Sequence, residues 1–295
     1  MLNLFQHLFF TTFVMMNKKI IFSAVLLVFI ASCDYIAIPK EDYIPIANPA
    51  DTVKRKVMLE DFTGHTCPNC PPASTEAIAL KQIYGEQLVV IGVHAGILSD
   101  PNPPNYPANY QTTAGDAYEV FFFITGYPTG MINRKRYPSN GHKIGAYQSW
   151  DTHIDSVLSR PVEADIEVSN LLNGNQLTVT AKTKMIVNKT GNYRIVALIT
   201  EDNIVSPQLN GTIYVPNYTH RHVLRGSIPD GNFWGDPLFN GSVLAGDSIM
   251  TTFPPYTLGG TWNVNNLHVV VYIYDNDSGS ETYKEILQVE ERKLN

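Results

Sequence analysis

Glu60-Asp61-Phe62-Thr63-Gly64-His65-Thr66-Cys67-Pro68-Asn69-Cys70-Pro71 is the stretch on which the reading of this 295-residue chain turns. It follows a strand-like run, Val57 to Leu59, and leads into a helix-like run, Ala73 to Tyr84, so its two thiols sit at a strand-to-helix turn. The first turn of a helix presents unpaired N–H groups and the positive end of the macrodipole, and both favour a thiolate over a thiol. Cys67 is expected at the very start of the helix, as the nucleophile, with Cys70 one turn further in.

Working outward, Leu88 to Val93 is a continuous apolar run between Gly85 and Gly96, as a strand buried on both faces of a parallel sheet requires. A βαβ unit is thereby complete. Leu98 to Gly115 is a loop rich in Pro, Asn and Tyr, and Asp116 to Ile124 reads as a helix. Gly126-Tyr127-Pro128-Thr129 leads into a short strand through Met131 to Asn133, Asn140-Gly141 supplies a hairpin turn, and Trp150 to Leu158 is a final helix.

The order of strand, CxxC, helix, strand, helix, Gly-x-Pro-Thr, strand, hairpin and helix resembles a thioredoxin fold. That resemblance implies a buried proton acceptor at Asp61, six residues before Cys67, and a cis-proline facing the cysteines at Pro128. His65 and Tyr127, beside these positions, are candidate modulators. The sequence departs from the family in having Thr66 rather than Trp before the first cysteine, and in the Pro71-Pro72 pair early in the helix. CxxC without a second spaced pair of ligands is poor evidence for zinc, so neither metal nor organic cofactor is expected.

At the N-terminus, Met16-Asn17-Lys18-Lys19 is a basic start, Ile20 to Ile30 an apolar core too short to span a bilayer, and Ala31-Ser32-Cys33 closes it. This is similar to a bacterial lipoprotein signal. It implies that residues 1–32 are a signal peptide, that the true start is Met16, and that Cys33 carries the lipid, with 33–52, which holds Pro39, Pro45 and Pro49, as an extended tether. Of three cysteines, only Cys67 and Cys70 then remain in an exported, oxidising compartment, and they have no partner but each other. Together with the Glu60 to Pro71 motif and His220-Arg221-His222-Val223-Leu224-Arg225, this segment gives the chain its resemblance to the outer membrane protein 28-related lipoproteins, which implies an outer-membrane lipoprotein facing periplasm or surface.

Composition agrees with a globular protein that can bury a core. The hydrophobic fraction is 44%, the charged fraction 16% and the net charge −6, which provides no basic surface for nucleic acid. From Glu163 the pattern changes to short alternating runs: Ala164, Ile166 and Val168, then Leu177, Val179 and Ala181 across an Asn173-Gly174 turn, then the more apolar Tyr193 to Thr200 and Leu267 to Tyr274. Residues 53–161 are accordingly expected to form the thioredoxin-like α/β domain and residues 162–295 an all-β, immunoglobulin-like sandwich. Periodicity does not organise Asp202 to Asp247, in which His220, His222 and Asp236 are candidates for a ligand site or for polar contacts fixing a loop.

Two functions fit. In one, the chain is an envelope thiol–disulfide oxidoreductase acting on the thiols of exported proteins, with Cys67 attacking, Cys70 resolving, Asp61 moving the proton and Pro128 shaping the groove. In the other it is an outer-membrane or surface interaction protein, in which the thioredoxin-like fold is a scaffold and the disulfide is structural.

Overall fold

The computed structural model describes residues 53–294, all within the compact unit Ala47–Asn295. The signal peptide, the start at Met16, the lipidated Cys33 and the 33–52 tether lie outside the described residues. No helix among the described residues is long and apolar enough to cross a membrane.

The chain is a mixed α/β structure with a large, β-rich C-terminal part. Strand β1 (Val57–Thr63) is buried along its whole length, as is β2 (Leu88–His94), which pairs with it in parallel across helix α1 (Cys70–Tyr84). After a loop that includes the 3-10 turn Ile97–Ser99, helix α2 (Thr113–Phe121) precedes β3 (Thr129–Ile132), which runs antiparallel to β1; helix α3 (Trp150–Leu158) follows. The strands of the C-terminal part are β4 (Ala164–Asn173), β5 (Gln176–Met185), β6 (Lys189–Glu201), β7 (Ile204–Asn210), β8 (Ile213–His220), β9 (Val223–Ile228), β10 (Asp236–Val243), β11 (Ser248–Thr252), β12 (Tyr256–Thr257), β13 (Leu267–Asp275) and β14 (Ile286–Lys293).

Hydrogen bonds cross the boundary expected at residues 161/162. One sheet runs β14-β13-β6-β9-β2-β1-β3, with β10 also on β6, and the smaller sheet of β4, β5, β11 and β12 packs over part of it. A two-layer β arrangement exists, but one layer is continuous with the strands flanking the CxxC motif. Alternation along β6 shows how. Ile195, Ala197 and Ile199 face the smaller sheet, while Val196 and Leu198 face a second core that also holds Met58 and Phe62 of β1, Val89, Ile91 and Val93 of β2, and Tyr118 of α2. A strand buried on both faces belongs to both cores at once, so neither half of the chain can close its core without the other. The ends of the long sheet also meet: Ile286 N donates to Asn133 O (2.8 Å) and Asn133 Nδ2 to Ile286 O (3.1 Å).

The third core, on the other face of β1 and β2, holds Val57, Leu59, Leu88 and Val90 against Ala73, Ala77 and Leu80 of α1 and Trp150, Ile154 and Val157 of α3. Gly130 on β3 permits this packing, since a Cβ there would lie 2.4 Å from the Trp150 indole nitrogen. Along β1 the faces therefore divide: Met58, Glu60 and Phe62 point into the second core, and Val57, Leu59 and Asp61 point toward α1.

Candidate functional site

Helix α1 opens at Cys70, with Asn69 as its N-cap, so the expectation that Cys67 starts the helix is corrected by one turn. The cause is local: Pro71 and Pro72 lack N–H groups and fit the first turn, where those groups have no carbonyl partner, and this draws the start of the helix up to Cys70. Cys67 lies in the preceding turn, its N–H donating to Gly64 O (3.0 Å), and forms a disulfide with Cys70. Thr66 N and Thr66 Oγ1 both donate to Leu98 O (3.0 and 2.8 Å), clamping the motif against the Ile97–Ser99 turn. Gly64 allows that approach, because a Cβ at this position would stand 2.4 Å from Leu98 O.

Both cysteines are 1% exposed, and the two-stranded hairpin β7–β8 docks on the turn that carries them. Leu209 N donates to His65 O (2.8 Å) and Gly211 N to Pro68 O (2.8 Å), while Gln208 Nε2 donates to Gly64 O (3.1 Å) and Cys67 O (3.2 Å). The long loop before α2 also holds the hairpin, Tyr110 Oη donating to Ser206 Oγ (2.7 Å) and Tyr214 Oη to Asn105 O (3.2 Å).

Beneath the motif, Asp61 is 3% exposed. Its Oδ2 accepts from Ser74 Oγ on the first turns of α1 (3.2 Å) and its Oδ1 has no partner. Burial pushes the carboxyl up to about 7, against the lowering effect of the Ser74 hydrogen bond. Asp61, Cys70, Ser74, His94, Gln208 and Tyr218 line one narrow cleft. The carboxyl thus shares with Cys70 the lining of a single cleft.

His65, one of the candidate modulators, is held in a buried, aromatic setting. It is 1% exposed, stacks on Tyr106 and sets Nε2 3.0 Å from Asp100 O; burial pushes its pKa down, so the ring is neutral at neutral pH. Tyr127 is turned to α2, its hydroxyl donating to Glu119, and packs over Gly96, whose φ of +63° and missing Cβ admit it. The Tyr127–Pro128 bond is cis. Because Thr129 pairs with Phe62, Pro128 lies at the end of the sheet from which the Cys67 turn departs.

His94 ends β2, and His220 ends β8 beside it, their ring centroids 5.6 Å apart. Tyr110 sits edge-on to His94 (5.1 Å) and tilted against His220 (5.3 Å). Burial, and then the neighbouring imidazole of His220, holds His94 well below the ordinary histidine pKa; burial, and then His65, brings His220 down to about 4. Both rings are neutral at neutral pH. His220, His222 and Asp236 do not converge: His222 Nδ1 lies 3.4 Å from Asp202, and Asp236 accepts from Asn232 Nδ2 (2.9 Å). Among the described residues no three His, Cys, Asp or Glu side chains come together as a metal site.

Sequence reasoning missed Gln208, Tyr110 and Tyr218 as parts of the site. The available signal was Asn210-Gly211, a hairpin pair like the two that were used, lying between runs that form β7 and β8.

A family model described as outer membrane protein Omp28 matches residues 115–295, from α2 to the end of the chain, and so excludes the CxxC motif. Among solved structures, HBP35 of Porphyromonas gingivalis superposes with a TM-score of 0.64 at 18% identity, over 82% of this chain and 76% of that one. A crystal structure of an Agrobacterium tumefaciens protein gives a TM-score of 0.50 at 13% identity, over 82% and 96%. These likenesses are of fold alone. No curated protein sequence matches the chain.

Proposed function

Because the chain belongs to the Omp28 outer membrane protein family, we propose that it works in the bacterial envelope as a lipoprotein anchored through Cys33, and that its β1-α1-β2-α2-β3-α3 portion is a thioredoxin-like unit exchanging disulfides with exported proteins. One observation carries the redox part: Asp61, buried beside Cys70, with one carboxylate oxygen unpartnered and its pKa near 7. A buried carboxyl of this kind costs stability, and a structural disulfide has no use for it.

In the oxidising direction, a client thiolate attacks Cys67 Sγ, the Cys67–Cys70 bond breaks, and Cys70 leaves as a thiolate that takes the proton of neutral Asp61. A second client thiolate then attacks the mixed disulfide and expels Cys67. The client loses two electrons and forms a disulfide, and the CxxC pair gains them; reduction of a client disulfide is the same sequence reversed. Pro128, at the same end of the sheet, borders the place where the client chain would lie.

Cys70→Ser tests the reading directly. In envelope extracts it should accumulate mixed disulfides through Cys67, absent from the Cys67→Ser/Cys70→Ser control, and a clean lack of adducts would sink the proposal. The second reading, a structural disulfide in an interaction protein, is favoured by the 1% exposure of both cysteines. It predicts a reduction potential below about −300 mV, whereas exchanging pairs lie at roughly −120 to −270 mV.

A further inference from the structure

The geometry points to the β7–β8 hairpin as a hinged gate over the Cys67–Cys70 disulfide, which must swing away before any outside thiol can reach the sulfurs. This rests on the exchange reading for its purpose, since a static disulfide has no need of a gate.

Four observations build the gate. First, β7 and β8 pair only with each other, in a two-stranded sheet separate from the other two. A lone hairpin has little stability of its own, so its position depends on what it docks against. Second, its docking contacts converge on the CxxC turn. Leu209, Gly211 and Gln208 donate to the carbonyls of His65, Pro68, Gly64 and Cys67.

Third, both roots of the hairpin carry non-glycine residues in the left-handed region, Asn203 at φ +58° and His222 at φ +54°. Asn and His are among the non-glycine residues that adopt this region most readily, and such backbone gathers at ligand clamps and switch regions. The residues around the roots are pinned: Asp202 N donates to Asn266 O (2.9 Å), and Gly92 N donates to His222 O (2.7 Å). The pivots are thus fixed to the main sheets while the segment between them is not. Fourth, what the hairpin buries is polar: Gln208 and His220 are 3% and 4% exposed, whereas Val205, Ile213 and Tyr214 are 61%, 65% and 44% exposed, so no apolar core of its own opposes its departure.

The contacts that hold it closed are therefore mainly polar, and few. Pro207 contributes to this economy. It has no N–H to donate, and the β7–β8 register shifts between Ser206 and Gln208, which leaves the Gln208 side chain aimed at the motif.

The test measures the rate at which dithiothreitol reduces the disulfide in the full-length oxidised protein, with free thiols trapped and weighed by mass spectrometry. If opening limits the reaction, the rate levels off as reductant rises. Gln208→Ala should raise that plateau about tenfold, the effect of losing two modest hydrogen bonds. Tyr110→Phe, which removes the contact to Ser206, should raise it severalfold. Hydrogen exchange on the same samples should show the Leu209 and Gly211 amides exchanging faster than those of β6 and β13, with the latter unchanged in both variants. A wild-type rate linear in dithiothreitol, with both variants at that rate, overturns the gate. So does exchange of the Leu209 and Gly211 amides only in step with β6. Loss of client adducts alongside an intact plateau removes the exchange reading and leaves the gate standing; adducts with a linear rate that neither variant raises do the reverse.

Discussion

Arg134 offers a severe test of how the chain is held together. It is fully buried in the second core, its Nε donating to Glu60 Oε2 (2.8 Å) and its Nη2 to Glu60 Oε1 (2.6 Å). The guanidinium lies 4.3 Å from the Tyr118 ring centroid, 5.1 Å from Tyr272 and 5.2 Å from Phe122. Asn133 and Arg134 both adopt left-handed backbone (φ +47° and +51°), a strained turn that aims the side chain inward after β3. Replacing Arg134 by Met keeps much of the apolar contact and leaves the Glu60 carboxylate buried without its partner. Loss of one member of a buried pair costs about 3–5 kcal/mol, whereas replacing both by apolar residues of similar volume is often nearly neutral. Urea unfolding at pH 7, followed by tryptophan fluorescence with the disulfide intact, should therefore show Arg134→Met less stable by about that amount. Glu60→Leu/Arg134→Met should recover most of it. A single variant within about 1 kcal/mol of wild type, or a double variant as damaged as the sum of the singles, would refute the assignment.

Other consequences are as open to measurement. Asp61 has a folded pKa of about 7 against 3.8 for the free group, so the unfolded state gives up its proton first and stability falls as pH rises through that window. Denaturant titrations at pH 4 and pH 8 should show Asp61→Asn gaining on wild type by about 4 kcal/mol across the interval, and a constant difference would contradict the burial argument. His220 shifts the opposite way, to about 4 from 6.5; its stabilising effect is complete above pH 6.5 and is lost as pH falls through the folded value, so His220→Gln should blunt the acid sensitivity of unfolding below pH 6.5. Gly130→Ala drives a methyl into the buried Trp150 ring and should cost about 1–3 kcal/mol, visible as a lowered Tm. Cys33→Ala should move the protein from the detergent phase to the aqueous phase, and continued membrane attachment would end the lipoprotein assignment.

Local chemistry in the sequence was a good guide wherever the structure is local. Trp150 to Leu158 forms a helix within the bounds its pattern predicts, and the Asn173-Gly174 pair turns β4 into β5. Asp61 came from the thioredoxin resemblance, which implied a buried acid six residues before Cys67, and the residue is 3% exposed. The hairpin docked on the CxxC turn was not legible: Pro207 and Pro216 break the alternation of β7 and β8, and its docking depends on hydrogen bonds to carbonyls some 140 residues earlier, such as Gln208 to Gly64 and Cys67. The shared sheet was hidden for a related reason. An alternating strand announces one buried face, and β6, apolar on both faces over Ile195 to Ile199, was read as the centre of its own sandwich when it serves two cores.

The closing of the long sheet by β14 sets the order in which this protein can be made. The N-terminal strands depend on the last strand of the chain: Lys56 N donates to Gln288 Oε1, Lys56 Nζ pairs with Glu290, and Asn133 exchanges hydrogen bonds with Ile286. As the polypeptide is synthesised and passes through a membrane, the CxxC segment emerges long before these partners. A high contact order of this kind delays productive folding until the far end arrives, and apolar strands stay exposed meanwhile. The two halves of the chain therefore finish folding together, when Ile286 docks on Asn133.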